Sequence, residues 1–239
     1  STFDPNGRLK QVEYAIEHIN QDASVVGVLA TNGVVLAAAK KEVSKLFVPT
    51  RESGKIYKVD DHMLAAISGV VADANYLVDY ARLHAQRHLY SHHEPIYCEE
   101  LIKFLCNTCH HYTQYGSSRP YGVGFMHAGY DNVKGFQLYN SDPSGNYAAW
   151  KAHATGKGCV QAIGQLKDEY KECNLDQALD LAVAVLAKAM DLSTSNPDKF
   201  EIAVVYKEAD GTVAQRLIEG AELKTIVDRS KAWEKVDKK

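Results

Sequence analysis

Ser24 to Ala39 reads SVVGVLATNGVVLAAA. Two apolar runs, Val25–Ala30 and Val34–Ala39, flank Thr31-Asn32-Gly33. Asn-Gly between two such runs is the strongest short-range hairpin signal, because both residues tolerate positive φ. Neither run alternates apolar with polar residues. Strands that are apolar on both faces are covered on both faces. This one hairpin therefore demands packed material above and below its sheet.

Toward the C-terminus the chain follows the same logic. Past Lys40-Lys41-Glu42 a loop runs through Pro49 and Gly54, then Lys55–Val59 and Met63–Ser68 pair as strands about Asp60-Asp61. Gly69 leads into a helix over Ala72–Leu89, with Leu77, Ala81, His84 and Ala85 on one face, and Pro95 breaks it. A second helix, Cys98–Tyr115, ends at Gly116, and two such neighbours pack antiparallel. Three strands come next, Tyr121–Tyr130, Gly135–Tyr139 and Tyr147–His153, turning at Asp131-Asn132 and at Asp142-Pro143-Ser144-Gly145. Helices over Cys159–Tyr170 and Leu175–Met190 precede strands Glu201–Lys207 and Val213–Ile218, hinged at Asp210-Gly211. A last helix carries Leu223, Ile226 and Val227 and frays into charge after Trp233.

Strands in antiparallel runs and helices in pairs exclude a simple βαβ wound sheet. Doubly buried strands with paired helices predict an α+β fold of two stacked sheets with helices outside each, a four-layer α-β-β-α sandwich. No repeat or low-complexity linker divides the chain. Residues 23–239 are expected to form one sandwich, preceded by residues 1–22.

Toward the N-terminus, Phe3–Ile19 reads FDPNGRLKQVEYAIEHI. Asp4-Pro5-Asn6-Gly7 is a dense turn signal. Leu9, Val12, Ile16 and Ile19 then recur at three- and four-residue steps, so they share one helix face. That stripe either covers the chain's own core or meets a neighbouring subunit.

The bulk numbers narrow the function. The chain has 239 residues, 46% hydrophobic and 24% charged, with net charge −3. Such a balance gives no electrostatic case for nucleic acid or an anionic membrane. No apolar run approaches the roughly 18–20 residues that span a bilayer, and no secretory-signal pattern is visible in the polar first residues. Cys98, Cys106, Cys109, Cys159 and Cys173 are an odd number in a long chain. They argue against a disulfide framework and for a reducing compartment, cytoplasm or nucleus.

Three local patterns invite a chemical reading. Cys106-Asn107-Thr108-Cys109-His110 has the spacing of a c-type haem attachment, yet Cys106 and Cys109 share a predicted helix face with Ile102 and Leu105, where free cysteine behaves as a small hydrophobe. His92-His93 and His110-His111 could join a cysteine on zinc, but no HExxH or paired CxxC spacing accompanies them; they read as surface histidines. Gly156-Lys157-Gly158 could hold an anion at a helix start, but Cys159 stands where a P-loop needs Ser or Thr. No cofactor or metal is expected. Ser68-Gly69 is not a GxSxG elbow.

Read together, Phe3-x-Pro5-x-Gly7-Arg8-Leu9-x-Gln11-Val12-Glu13-Tyr14-Ala15 resembles the N-terminal signature of 20S proteasome α-type subunits. The likeness continues through Lys55-Ile56-Tyr57, Gly69-Val70-Val71-Ala72-Asp73-Ala74, Tyr112-Thr113-Gln114, Arg119-Pro120-Tyr121-Gly122-Val123 and Tyr139-x-Ser141-Asp142-Pro143-Ser144-Gly145-x-Tyr147. It covers nearly the whole chain and looks most like the third α position of the eukaryotic ring.

The resemblance implies the N-terminal-nucleophile hydrolase sandwich. Catalytic members need a free N-terminal threonine, whose amine acts as base. Alignment on the Asn32-Gly33 hairpin puts that position at Ala23, inside the chain, and the helper aspartate at Ala39; only the lysine survives, as Lys55. The resemblance thus implies a non-catalytic subunit. It would sit in a seven-membered ring with other α subunits, stack on inner β rings, gate substrate access and dock regulatory-particle ATPases and other activators, in ubiquitin-dependent and other proteasomal degradation. Lys55, with Leu9, Gly69 and Val70, matches the pocket that pairs with the C-terminal carboxylate of an activator tail. Pro5, Tyr14, Val12 and Ile16 match gate and ring contacts, and a gate tail with a Tyr-Asp pair is implied upstream of Ser1. The resemblance favours the subunit contact for the N-terminal stripe. An active hydrolase would instead require processing at a threonine.

Overall fold

The computed structural model describes residues 1–40, 46, 48, 54–116, 118–190 and 197–236, with side chains described only as far as residue 230. The loop expected through Pro49 and the side chain of Trp233 lie outside these.

Two five-stranded antiparallel sheets form the centre. The first has strands β1 (Val25–Ala30), β2 (Gly33–Ala39), β8 (Ala152–Thr155), β9 (Phe200–Lys207) and β10 (Val213–Ile218), in the order β10-β9-β2-β1-β8. The second runs β3-β4-β5-β6-β7, from Ile56–Asp60, Met63–Gly69, Val123–Asp131, Gly135–Ser141 and Tyr147–Ala149. Helices α2 (Val71–His92) and α3 (Cys98–Gln114) cover the second sheet; α4 (Cys159–Glu169), α5 (Leu175–Ala189) and α6 (Gly220–Val236) cover the first. This is the four-layer sandwich, with α1 (Lys10–Gln21) as an extra helix packed on β4 and β5.

Strand alternation builds three apolar layers. Val26, Val28, Val35 and Ala37 face the helices, with Leu181, Val185 and Leu186 opposite them. Val25, Val34, Leu36 and Ala38 face the other sheet and meet Leu64, Met126, Ala128 and Leu138. At Gly27 a Cβ would come within 2.3 Å of Met126 Sδ, so the missing side chain is what admits that residue. The third layer joins the second sheet to α2 and α3 and includes Leu77, Ala81, Ala85, Ile102, Cys106 and Cys109.

Two expectations need correction. The hairpin closes with Ala30 opposite Gly33, so its loop is Thr31-Asn32 and not Asn32-Gly33, and neither Asn32 nor Gly33 has positive φ. Contacts from elsewhere hold the turn: Thr31 N–H donates to Cys173 O at 2.9 Å, and Asn32 Oδ1 accepts from Leu175 N at 2.8 Å. Gly33 is small because a Cβ would lie 2.7 Å from Val205 O. The second correction concerns Tyr147–His153, expected as one strand. Tyr147–Ala149 pairs with β6 in the second sheet, while Ala152–Thr155 pairs with β1 in the first. The chain crosses between sheets at Trp150-Lys151, a change of partner that period-two patterning does not register.

Candidate functional site at the covered end of the sandwich

Ala23, Ala39 and Lys55 come together at one end of the sandwich. Ala39 N–H donates to Ser24 O at 2.9 Å, which places the ends of β1 and β2 side by side. Glu201, opposite Ala38 on β9, accepts the N–H groups of Lys55 at 2.8 Å and Ile56 at 3.1 Å. The start of β3 in the second sheet is thereby fixed to the first. Ala23 joins α1 to β1, so its nitrogen is an amide, and its methyl and that of Ala39 can neither attack nor hold a proton.

Helix α1 lies over this end. Asp4 organises its start: its Oδ1 accepts from Asn6 N at 2.9 Å and Arg8 N at 2.8 Å, a side chain closing its own turn. Val12 and Ile19 are buried, at 6% and 4% exposure. Ile19 packs where a Cβ on Gly69 or Gly124 would meet it, and Ser68 Oγ donates to Ile19 O at 3.2 Å. The expectation that the whole stripe faces a neighbour is corrected: Val12 and Ile19 are buried within this chain itself, Ile19 against β4 and β5. Ile16 is half-buried, and Pro5 and Tyr14 are exposed.

Lys55 is not a free ammonium. Its Nζ donates to Asp22 Oδ2 at 2.5 Å, and the same oxygen accepts Gly69 N–H at 2.8 Å. Both side chains are nearly covered, at 11% and 12% exposure. Burial disfavours the Asp22 anion, but these bonds outweigh it and hold its carboxyl below the usual carboxylate range. The end of α1 places Asp22, whose N–H donates to Ile19 O at 3.1 Å, while its carbonyl accepts Lys157 N–H at 2.7 Å. Gly156-Lys157-Gly158, which lacks the residues of a P-loop, is an entry turn to a helix and contributes this tie, with Gly158 as N-cap of α4.

Of the pocket residues, Lys55 and Gly69 converge on one point. Val70 follows Gly69, its N–H donating to Gly122 O at 2.9 Å, and Leu9 is the N-cap of α1. Nearby, Asp73 takes both ends of Arg119, at 2.6 and 2.8 Å, and Gly122 N–H at 2.8 Å. The bidentate Arg119 contact, opposed by burial, holds the Asp73 carboxyl low. Asp22, Glu201 and the Asp73–Arg119 pair escaped the sequence reading. Their partners lie 33 to 146 positions away, with no motif to join them.

The alternative centres do not assemble. Cys106 and Cys109 point into the core, and burial pushes both thiols up to about 12, away from the thiolate a metal or haem linkage needs. His110 faces outward, its ring at 3.2 Å from Ser144 O, and His92 and His93 are exposed at the end of α2. Among the described residues, no group of three His, Cys, Asp or Glu could hold a metal.

A family model described as proteasome subunit matches residues 19–205. The chain belongs to the proteasome subunit family. Within it the likeness is to α-type subunits of the 20S core, which supports a non-catalytic place in the α ring: proteasome subunit alpha type-4 of Spinacia oleracea is 44% identical over 95% of this chain and 92% of its own length. Proteasome subunit alpha type-4-1 of Oryza sativa subsp. indica is 48% identical over 85% of this chain and 82% of its own. Type-4-A of Arabidopsis thaliana is 46% identical over 88% and 85%.

Proposed function

We propose that this chain works as a non-catalytic subunit of a heptameric α ring in the 20S core particle, where it gates substrate access and docks regulators. The observation that carries the reading is the covered end of the sandwich. Position 23, where a catalytic relative would need a nucleophile, is an alanine with an amide nitrogen, and position 39, that of the helper acid, is a second alanine. Helix α1 runs directly into position 23. A fold can keep its architecture while its chemistry is gone.

Exposed Pro5 and Tyr14 face away from the core, where gate segments and ring neighbours would meet them, and half-buried Ile16 lies at the edge of the inward stripe. Lys55 and Gly69 N–H form a receptor for one carboxylate oxygen, the chemistry suited to the C-terminus of an activator tail, with Val70 next in the chain and Leu9 at the opposite end of α1. Other α subunits, the β subunits of the inner rings and regulatory-particle ATPases are the partners, in cytoplasm and nucleus, and ubiquitin-dependent degradation is the process. The test is to isolate particles through a tag on this chain and map its cross-links. Cross-links to two α neighbours and to β subunits are expected. Peptide hydrolysis by the purified chain alone, blocked by an inhibitor of N-terminal threonines, would overturn the reading, as would an intact mass showing cleavage to a new N-terminal threonine.

A further inference from the structure

The receptor formed by Lys55 Nζ and Gly69 N–H already holds a carboxylate, and it belongs to this chain. Asp22 Oδ2 accepts from both groups, at 2.5 and 2.8 Å. Asp22 reaches them without choice of its own: the last turn of α1 fixes its N–H on Ile19 O, and the turn before α4 fixes its carbonyl on Lys157 N–H. Its side chain is 12% exposed, so water cannot screen a second negative charge brought to the same point. The Glu201 carboxylate is engaged by the Lys55 and Ile56 backbone N–H groups.

We propose that Asp22 is the specificity determinant of this pocket, an internal occupant that a C-terminal tail must displace from Lys55 and Gly69 before it can dock. The inference rests on the tail-docking reading above. With Asp22 in place the Lys55 ammonium is already neutralised, and an incoming carboxylate meets a like charge at contact distance. With Asp22 turned away, the tail would inherit both donors unchanged. This position in the ring would then engage tails weakly, or only where other contacts supply the free energy to open the pair.

Core particles assembled with this chain, unchanged or carrying Asp22→Asn, can decide it. The substitution keeps the shape and removes the charge. The probe is a short apolar peptide with a free C-terminal carboxylate and a benzophenone, alongside its C-terminally amidated twin, and cross-linking to this subunit is read by mass spectrometry. The carboxylate peptide should label D22N particles about tenfold more strongly than unchanged ones, the amide twin should label both equally, and Lys55→Met added to D22N should abolish the gain. Equal, carboxylate-dependent labelling of both particles overturns the Asp22 proposal and leaves tail docking standing. Labelling without carboxylate dependence in either overturns both. Should D22N fail to assemble, unchanged particles imaged at saturating peptide give the same decision: Asp22 off Lys55 supports the proposal, and a tail carboxylate on Lys55 beside an unmoved Asp22 overturns it.

Discussion

Glu201 on β9 accepts the backbone N–H of Lys55 at 2.8 Å, joining the first sheet to the start of β3 in the second. The same carboxylate accepts Ile56 N–H and is 6% exposed. Glu201→Ala would bury two unsatisfied donors and should cost about 2–4 kcal/mol. Thermal unfolding should show a drop of about 5–15 °C. Glu201→Gln keeps one acceptor oxygen and should lose about half as much. A Glu201→Ala chain as stable as the parent would remove this tie from the account.

Acid should loosen this end of the molecule. Asp22 and Asp73 both titrate below their ordinary 3.8 when folded. Their contribution is complete above that unfolded value and is lost as pH falls through the lower folded one. Denaturant midpoints should therefore fall below about pH 4. Asp73→Asn should flatten that fall, because the charge that Arg119 and Gly122 hold is gone. A pH profile unchanged by the substitution would show that the pair is not coupled to stability.

Gly69 has φ +120, and a Cβ there would stand 2.2 Å from Gly122 O. Neither strain can relax, since Gly122 O also accepts Val70 N–H. Gly69→Ala should cost about 3 kcal/mol or more and reduce soluble yield. Gly164→Ala is the control: it lies within α4, meets nothing within 4 Å, and should stabilise by about 0.5–1 kcal/mol.

Val12 and Tyr14 sit on opposite sides of α1 and should part company when substituted. Val12→Asp places a charge in a site 6% exposed and should cost about 3 kcal/mol or more in the chain itself. Tyr14 is 57% exposed. Tyr14→Ala should leave the melting of the chain within about 0.5 kcal/mol of the parent while changing basal peptide hydrolysis by assembled particles. An effect of Tyr14→Ala on the isolated chain alone would end its role as a gate contact.

Sequence by itself determined what depends on neighbours along the chain. The doubly apolar runs about Thr31-Asn32-Gly33 announced strands covered on both sides, because a strand buried on both faces loses the alternation of apolar and polar residues. Leu77, Ala81 and Ala85 announced the core face of α2 by their four-residue spacing. The N-terminal signature identified the family, and the methyl groups at positions 23 and 39 were visible as soon as the hairpin supplied a register. Tertiary structure alone decided everything that depends on which distant segments meet. It split residues 147–155 between two sheets, since strand partners are chosen by packing and not by pattern. It turned Val12 and Ile19 inward, since amphipathicity names a buried face but not what buries it. It also set Asp22 on Lys55 and Gly69, across 33 and 47 positions. A carboxylate in the sequence declares a charge; only the fold brings it to the cation and the N–H that it neutralises.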